Sequence, residues 1–81
     1  MLVTVRLFAR LREIAGHGEL RQDVPDGTDA RGVWDRLAAQ HPELEPYGAS
    51  ISCAVNEEYA KFSTRLREGD EVAFLPPVSG G

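Results

Sequence analysis

Only one segment of this chain is long and regular enough to form a substantial helix, and that limits what it can fold into. Between Thr28 and Gln40, Val33, Trp34, Leu37 and Ala38 recur at i, i+1, i+4 and i+5, which makes one apolar stripe. Thr28 is placed as the N-cap, with Asp29 at the positive end of the helix. Gly32 weakens the helix by up to ~1 kcal/mol relative to alanine. His41-Pro42 ends it, because a residue before proline avoids helical backbone. A single stripe needs a second layer to cover it.

The remaining segments are short and alternate. Val3, Val5 and Leu7 are interleaved with Thr4 and Arg6, the period of a strand with one buried face. Ala9 to Ala15 can form one or two helical turns with Leu11 and Ile14 on one side, stopped by Gly16 and Gly18. A second strand is expected over Glu19 to Val24, ended by the turn Pro25-Asp26-Gly27 and antiparallel to the first. Pro42 to Ser50 reads as a loop. Ile51, Cys53 and Val55 mark a third strand, Asn56-Glu57-Glu58 a turn, and Tyr59 to Phe62 a fourth strand. Arg65 to Glu68 is a polar connection, and Glu71 to Leu75 is a fifth strand closed by Pro76-Pro77. The order β, β, α, β, β, β predicts an α+β fold. One main helix packs on one face of a mixed five-stranded sheet.

With 81 residues there is room for one domain with a small core, and little room for a deep pocket. The 42% hydrophobic content is enough to fold. One cysteine excludes an internal disulfide framework and a multi-cysteine metal site, and His17 and His41 lack ligand spacing, so no metal is expected. Cys53 alternates with apolar neighbours and is expected to be a buried, inert thiol. Net charge −4 without a basic block argues against nucleic acid. No apolar run reaches the ~20 residues of a membrane span, and the first residues lack a signal-peptide core. Glu57-Glu58 and Asp70-Glu71 sit at turns rather than in a cleft, which disfavours acid–base catalysis. The expectation is a cytoplasmic domain that works through a partner.

The sequence finishes Pro76-Pro77-Val78-Ser79-Gly80-Gly81. Two prolines favour an extended exit, and four further residues reach roughly 13 Å. Glycines without Cβ atoms can thread a channel closed to other side chains. A terminal carboxylate is a poor electrophile until its oxygen becomes part of a leaving group, as in an acyl-adenylate. The division expected is a folded domain over 1–75 and an extended tail over 76–81.

The run Gly69-Asp70-Glu71-Val72-Ala73-Phe74-Leu75-Pro76-Pro77-Val78-Ser79-Gly80-Gly81 closely resembles the ending of the small subunits of molybdopterin synthase. These are ubiquitin-like β-grasp sulfur carriers. Phe8-Ala9-Arg10-Leu11-Arg12-Glu13 with Gly16 resembles their N-terminal signature, and Ala54-Val55-Asn56 their third strand, while Gln22 to Ser50 is similar only in pattern. The resemblance implies that Gly81 is adenylated by an E1-like, ATP-dependent activating enzyme. It then becomes a thiocarboxylate with sulfur from a cysteine desulfurase or a rhodanese-type donor. The tail would enter the large subunit of a heterotetramer and give sulfur to cyclic pyranopterin monophosphate to build the dithiolene. Catalytic residues are expected on the large subunit, and no bound cofactor is expected on this chain.

If Val3, Val5 and Leu7 face the helix, then Leu2, Thr4, Arg6 and Phe8 face outward. On the last strand, inward Val72 and Phe74 leave Ala73 and Leu75 outward. Phe8 and Leu75 then either form an exposed apolar patch at the root of the tail, extended by Tyr59, or fold under a loop into the core. Parity favours the partner-binding patch. Other readings are a carrier of the same chemistry for thiamine, cysteine or tRNA thiolation, a ubiquitin-like modifier forming isopeptide bonds, and a binding module with an inert tail.

Overall fold

The computed structural model describes residues 1–77. Its elements are β1 (Leu2–Leu7), α1 (Ala9–Ala15), β2 (Glu19–Asp23), α2 (Ala30–Gln40), a 3-10 segment (Pro42–Tyr47), β3 (Ser52–Val55), β4 (Glu58–Ala60) and β5 (Glu71–Leu75). The five strands form one sheet in the order β2-β1-β5-β3-β4. β1 and β5 run parallel, with Val5 opposite Val72 and Leu7 opposite Phe74, and every other pairing is antiparallel. This is a ubiquitin-like β-grasp, the mixed sheet expected from the alternating segments and the resemblance.

Alternation and helical period meet in one core. Val3, Val5 and Leu7 of β1, Cys53 of β3, and Val72 and Phe74 of β5 all turn toward α2, which presents Val33, Trp34 and Leu37; all are almost wholly inaccessible. Phe74 is at the centre. The Trp34 ring meets it edge-on at 5.1 Å, and Phe62 stacks on it at 6.3 Å. Burying each large side chain contributes roughly 1.5–3 kcal/mol, and the aromatic geometry adds to that.

The sequence reading and the structure differ at several points, each for a local reason. The N-cap of α2 is Asp29, whose carboxylate accepts the Gly32 N–H at 2.8 Å. The Thr28 hydroxyl is turned back instead and donates to the Pro25 carbonyl at 2.6 Å, closing the preceding turn. Pro42 to Tyr47 forms a 3-10 segment rather than an open loop, because one tight turn lays Leu44 into the core. β4 stops at Ala60, before Phe62. The chain there leaves the sheet, and the Phe62 and Thr64 carbonyls accept the Arg31 and Ala30 N–H groups of the first turn of α2. Those are donors that a helix cannot satisfy internally. The connection after Thr64 is not wholly polar, since Leu66 is buried and its N–H donates to the Thr28 carbonyl.

Two packing details carry predictions. Gln22 on β2 is buried opposite Val3, and neither side-chain amide atom has a hydrogen-bond partner among the described residues. An unsatisfied buried polar group costs roughly 1–3 kcal/mol. Gln22→Met is therefore expected to raise stability by about 1 kcal/mol, read as a higher urea midpoint with unchanged slope. At Gly32, a Cβ would lie 2.7 Å from the Thr28 Cγ2. Gly32→Ala is expected to lower stability despite the ~1 kcal/mol helical preference for alanine. In a Thr28→Ser background, which keeps the hydroxyl and removes Cγ2, the same change is expected to stabilise.

Candidate functional site

The sheet face turned away from α2 is where the register collects the outward residues. Arg6 on β1 pairs with Ala73 on β5, Ala73 with Ala54 on β3, and Ala54 with Tyr59 on β4. Side chains of paired residues on one face are neighbours. A row therefore crosses the sheet with two alanines in its middle and tall side chains at its ends. The short alanines leave a hollow of about 250 Å³, bordered by Arg6, Phe8, Glu57, Tyr59, Glu71 and Leu75.

Phe8, Tyr59 and Leu75, the residues that parity assigns to a partner surface, all line this hollow. Phe8 is 37% exposed and Tyr59 78% exposed, while Leu75 is half-buried. Phe8 follows β1 as the N-cap of α1, and Ala9 takes φ 51 to turn the chain away from the sheet. The Arg6 guanidinium lies 5.3 Å from the Phe8 ring centroid and within 4.0 Å of Glu19 and 3.9 Å of Glu71. At this exposure the ion pairs are worth little, but the contacts hold the Phe8 ring along the rim.

Ala54, Ala73, Arg6, Glu57 and Glu71 were not singled out as site residues by the sequence. Each is unremarkable alone; what groups them is the parallel register of β1 on β5, a long-range pairing. β5 ends at Leu75 on this rim, followed by half-buried Pro76 and exposed Pro77. Val78, Ser79, Gly80 and Gly81, the remaining tail residues, lie outside the described residues.

Cys53 is on the opposite face of the sheet. Its Sγ donates to the Ala60 carbonyl at 3.3 Å, and burial pushes the thiol pKa up. Among the described residues no group of three or more His, Cys, Asp or Glu side chains could hold a metal, and His17 and His41 are not brought together into one. A raised thiol pKa in the folded state means stability is complete below the ordinary thiol pKa of about 8.5 and declines as pH rises through it. Labelling of Cys53 by a disulfide reagent at neutral pH is expected to follow global unfolding. Rapid labelling of the native chain would contradict this.

The ThiS family matches residues 5–81. The molybdopterin synthase sulfur carrier subunit of Arabidopsis thaliana is 38% identical over 79 residues, covering 98% of this chain and 82% of that protein. The protein of the same description from Mycobacterium tuberculosis is 38% identical over 80 residues, covering 98% and 96%. The crystal structure of SAMP1 from Haloferax volcanii superposes with a TM-score of 0.88 at 35% identity, covering 100% of both chains. With a match that runs from within β1 through the two final glycines, this chain belongs to the ThiS family.

Proposed function

We propose that this chain is the sulfur carrier subunit of a molybdopterin synthase. The observation that carries the reading is that similarity to subunits of that description spans nearly the whole chain, and that the family match reaches Gly81. The hollow beside the root of the tail supports it, because a carrier has to dock on other proteins while its end reacts inside them.

In this reading a Gly81 carboxylate oxygen attacks the α-phosphorus of ATP on an E1-like enzyme, and pyrophosphate leaves. The outer sulfur of a persulfide on a cysteine desulfurase or rhodanese-type donor then displaces AMP to give an acyl disulfide. A thiol cleaves that disulfide, becoming oxidised to a disulfide itself and leaving a thiocarboxylate. The tail enters the large synthase subunit and gives its sulfur to cyclic pyranopterin monophosphate. Two such transfers complete the dithiolene. ATP belongs to the activating enzyme, and this chain holds no cofactor of its own. Docking replaces a diffusing sulfur species by a tethered one at high effective concentration. Among the described residues no helix is long and apolar enough to cross a membrane, and the proposed setting is the cytoplasm.

A second reading, a ubiquitin-like modifier, draws on a relative that is 37% identical and described as small archaeal modifier protein 1 of Haloferax volcanii. It shares the adenylation step and differs in the acceptor, an amine in place of a sulfur.

The test is to incubate the chain with an activating enzyme, ATP and a sulfur donor, weigh it intact, and then add the large subunit and the pterin precursor. The expected result is the mass gain of one oxygen replaced by sulfur, followed by dithiolene product. An unchanged mass counts against every carrier reading, and thiocarboxylate without product moves the assignment to another acceptor pathway. Deleting Gly80-Gly81 is expected to abolish transfer. Leu75→Asp, at the rim of the hollow, is expected to weaken large-subunit binding about tenfold or more while the chain still folds.

A further inference from the structure

Glu57 occupies a position that suits a glutamate poorly. The β3–β4 hairpin has two central residues, Asn56 at φ 50 and Glu57 at φ 70. Two-residue hairpins with both φ values positive prefer Asn-Gly. Asn56 is compensated: its side-chain amide donates to the Asp70 carboxylate at 3.0 Å and accepts the Glu71 N–H at 3.0 Å. Glu57 is exposed and makes neither a side-chain hydrogen bond nor an ion pair among the described residues. Its Cβ carries the steric cost of left-handed backbone without a local return.

The same residue borders the hollow, next to Tyr59. The other charges on that rim are already engaged, since Arg6 is shared between Glu19 and Glu71 and lies against Phe8. The hollow therefore pairs an alanine floor with one carboxylate that the chain itself does not neutralise. That carboxylate stands at the end away from the tail. From Leu75 back to Glu71 the strand covers about 13 Å.

We infer that Glu57 is a specificity contact for the large synthase subunit, whose docking surface sets an apolar side chain on the Ala54–Ala73 floor and an arginine or lysine against the Glu57 carboxylate. The inference rests on the carrier reading above and adds the chemistry of the surface that the hollow fits. A charge at an exposed rim acts chiefly on the rate of encounter and on its salt dependence. A glycine at this position would relax the hairpin and lose the contact.

The experiment measures association of the purified large subunit with the full chain and with Glu57→Gln, Glu57→Gly and Glu58→Gln, at low and physiological salt, alongside melting temperatures. Glu58 precedes Tyr59 on β4, so its side chain is on the other face and serves as the control. Glu57→Gln is expected to slow association about 3–10-fold at low salt and to flatten the salt dependence. Glu57→Gly is expected to do the same while melting a few degrees higher. Glu58→Gln is expected to match the unaltered chain. Equal association rates and salt slopes for Glu57→Gln and the unaltered chain overturn the inference, as does an equal loss in Glu58→Gln. If the unaltered chain fails to bind the large subunit at all, the carrier reading falls with it. Binding that is indifferent to Glu57 removes only this contact.

Discussion

Strand β5 is hydrogen-bonded along both edges, parallel to β1 and antiparallel to β3, and the rest of the molecule is arranged around it. Its inward residues are Val72 and Phe74, and Phe74 is gripped by Trp34 from the helix and Phe62 from the segment after β4. Its outward residues are Ala73, at the centre of the hollow, and Glu71 and Leu75, on its rim. Its last residue leads into Pro76 and Pro77. One five-residue strand thus ties the core, the hollow on the outer face and the start of the tail to a common backbone. A strand held on both sides cannot shift register without exposing Phe74, so the tail root is held where the core is strongest.

In the proposed function, that arrangement lets a small domain do without a catalytic pocket. A core of this size leaves little room for a deep pocket, and its stability margin is narrow. In the proposed function the reacting atom is at the end of the tail, and the domain contributes a surface and a fixed point of departure. Glu57 on the rim and Ala9 beside it, both non-glycine residues at positive φ, fit this division. Ala9 turns the chain away just after Phe8, and Glu57 carries a carboxylate where glycine would be easier. Backbone strain of this kind persists only where the surrounding structure holds it in place.

Much of the fold was legible from local pattern. The inward parity of Val3, Val5 and Leu7, and of Val72 and Phe74, follows from the two-residue period of a strand, and the stripe on α2 from the helical period. The exceptions involve hydrogen bonds and contacts that periodicity does not carry. Asp29 caps α2 in place of Thr28 because the Thr28 hydroxyl is taken by Pro25. β4 ends early because the backbone at Phe62 and Thr64 is needed to satisfy the first turn of α2. Leu66, in a segment that reads as polar, is buried where that segment passes α2. At Thr28 a neighbouring turn competes for the hydroxyl, whereas at Phe62, Thr64 and Leu66 a hydrogen bond distant in sequence overrode the local preference.

The sequence by itself determined the α+β class, the inward set of core residues, and the family resemblance that points to the tail as the chemical end. It did so because periodicity, proline and glycine act on the chain locally. The tertiary structure alone decided which outward residues become neighbours. The parallel pairing of β1 with β5 sets Arg6 beside Ala73, and the β3–β5 and β3–β4 registers bring Ala54 and Tyr59 into the same row. A hollow exists there because two small residues fall between larger ones across strands far apart in sequence, and only long-range hydrogen bonding fixes which residues those are.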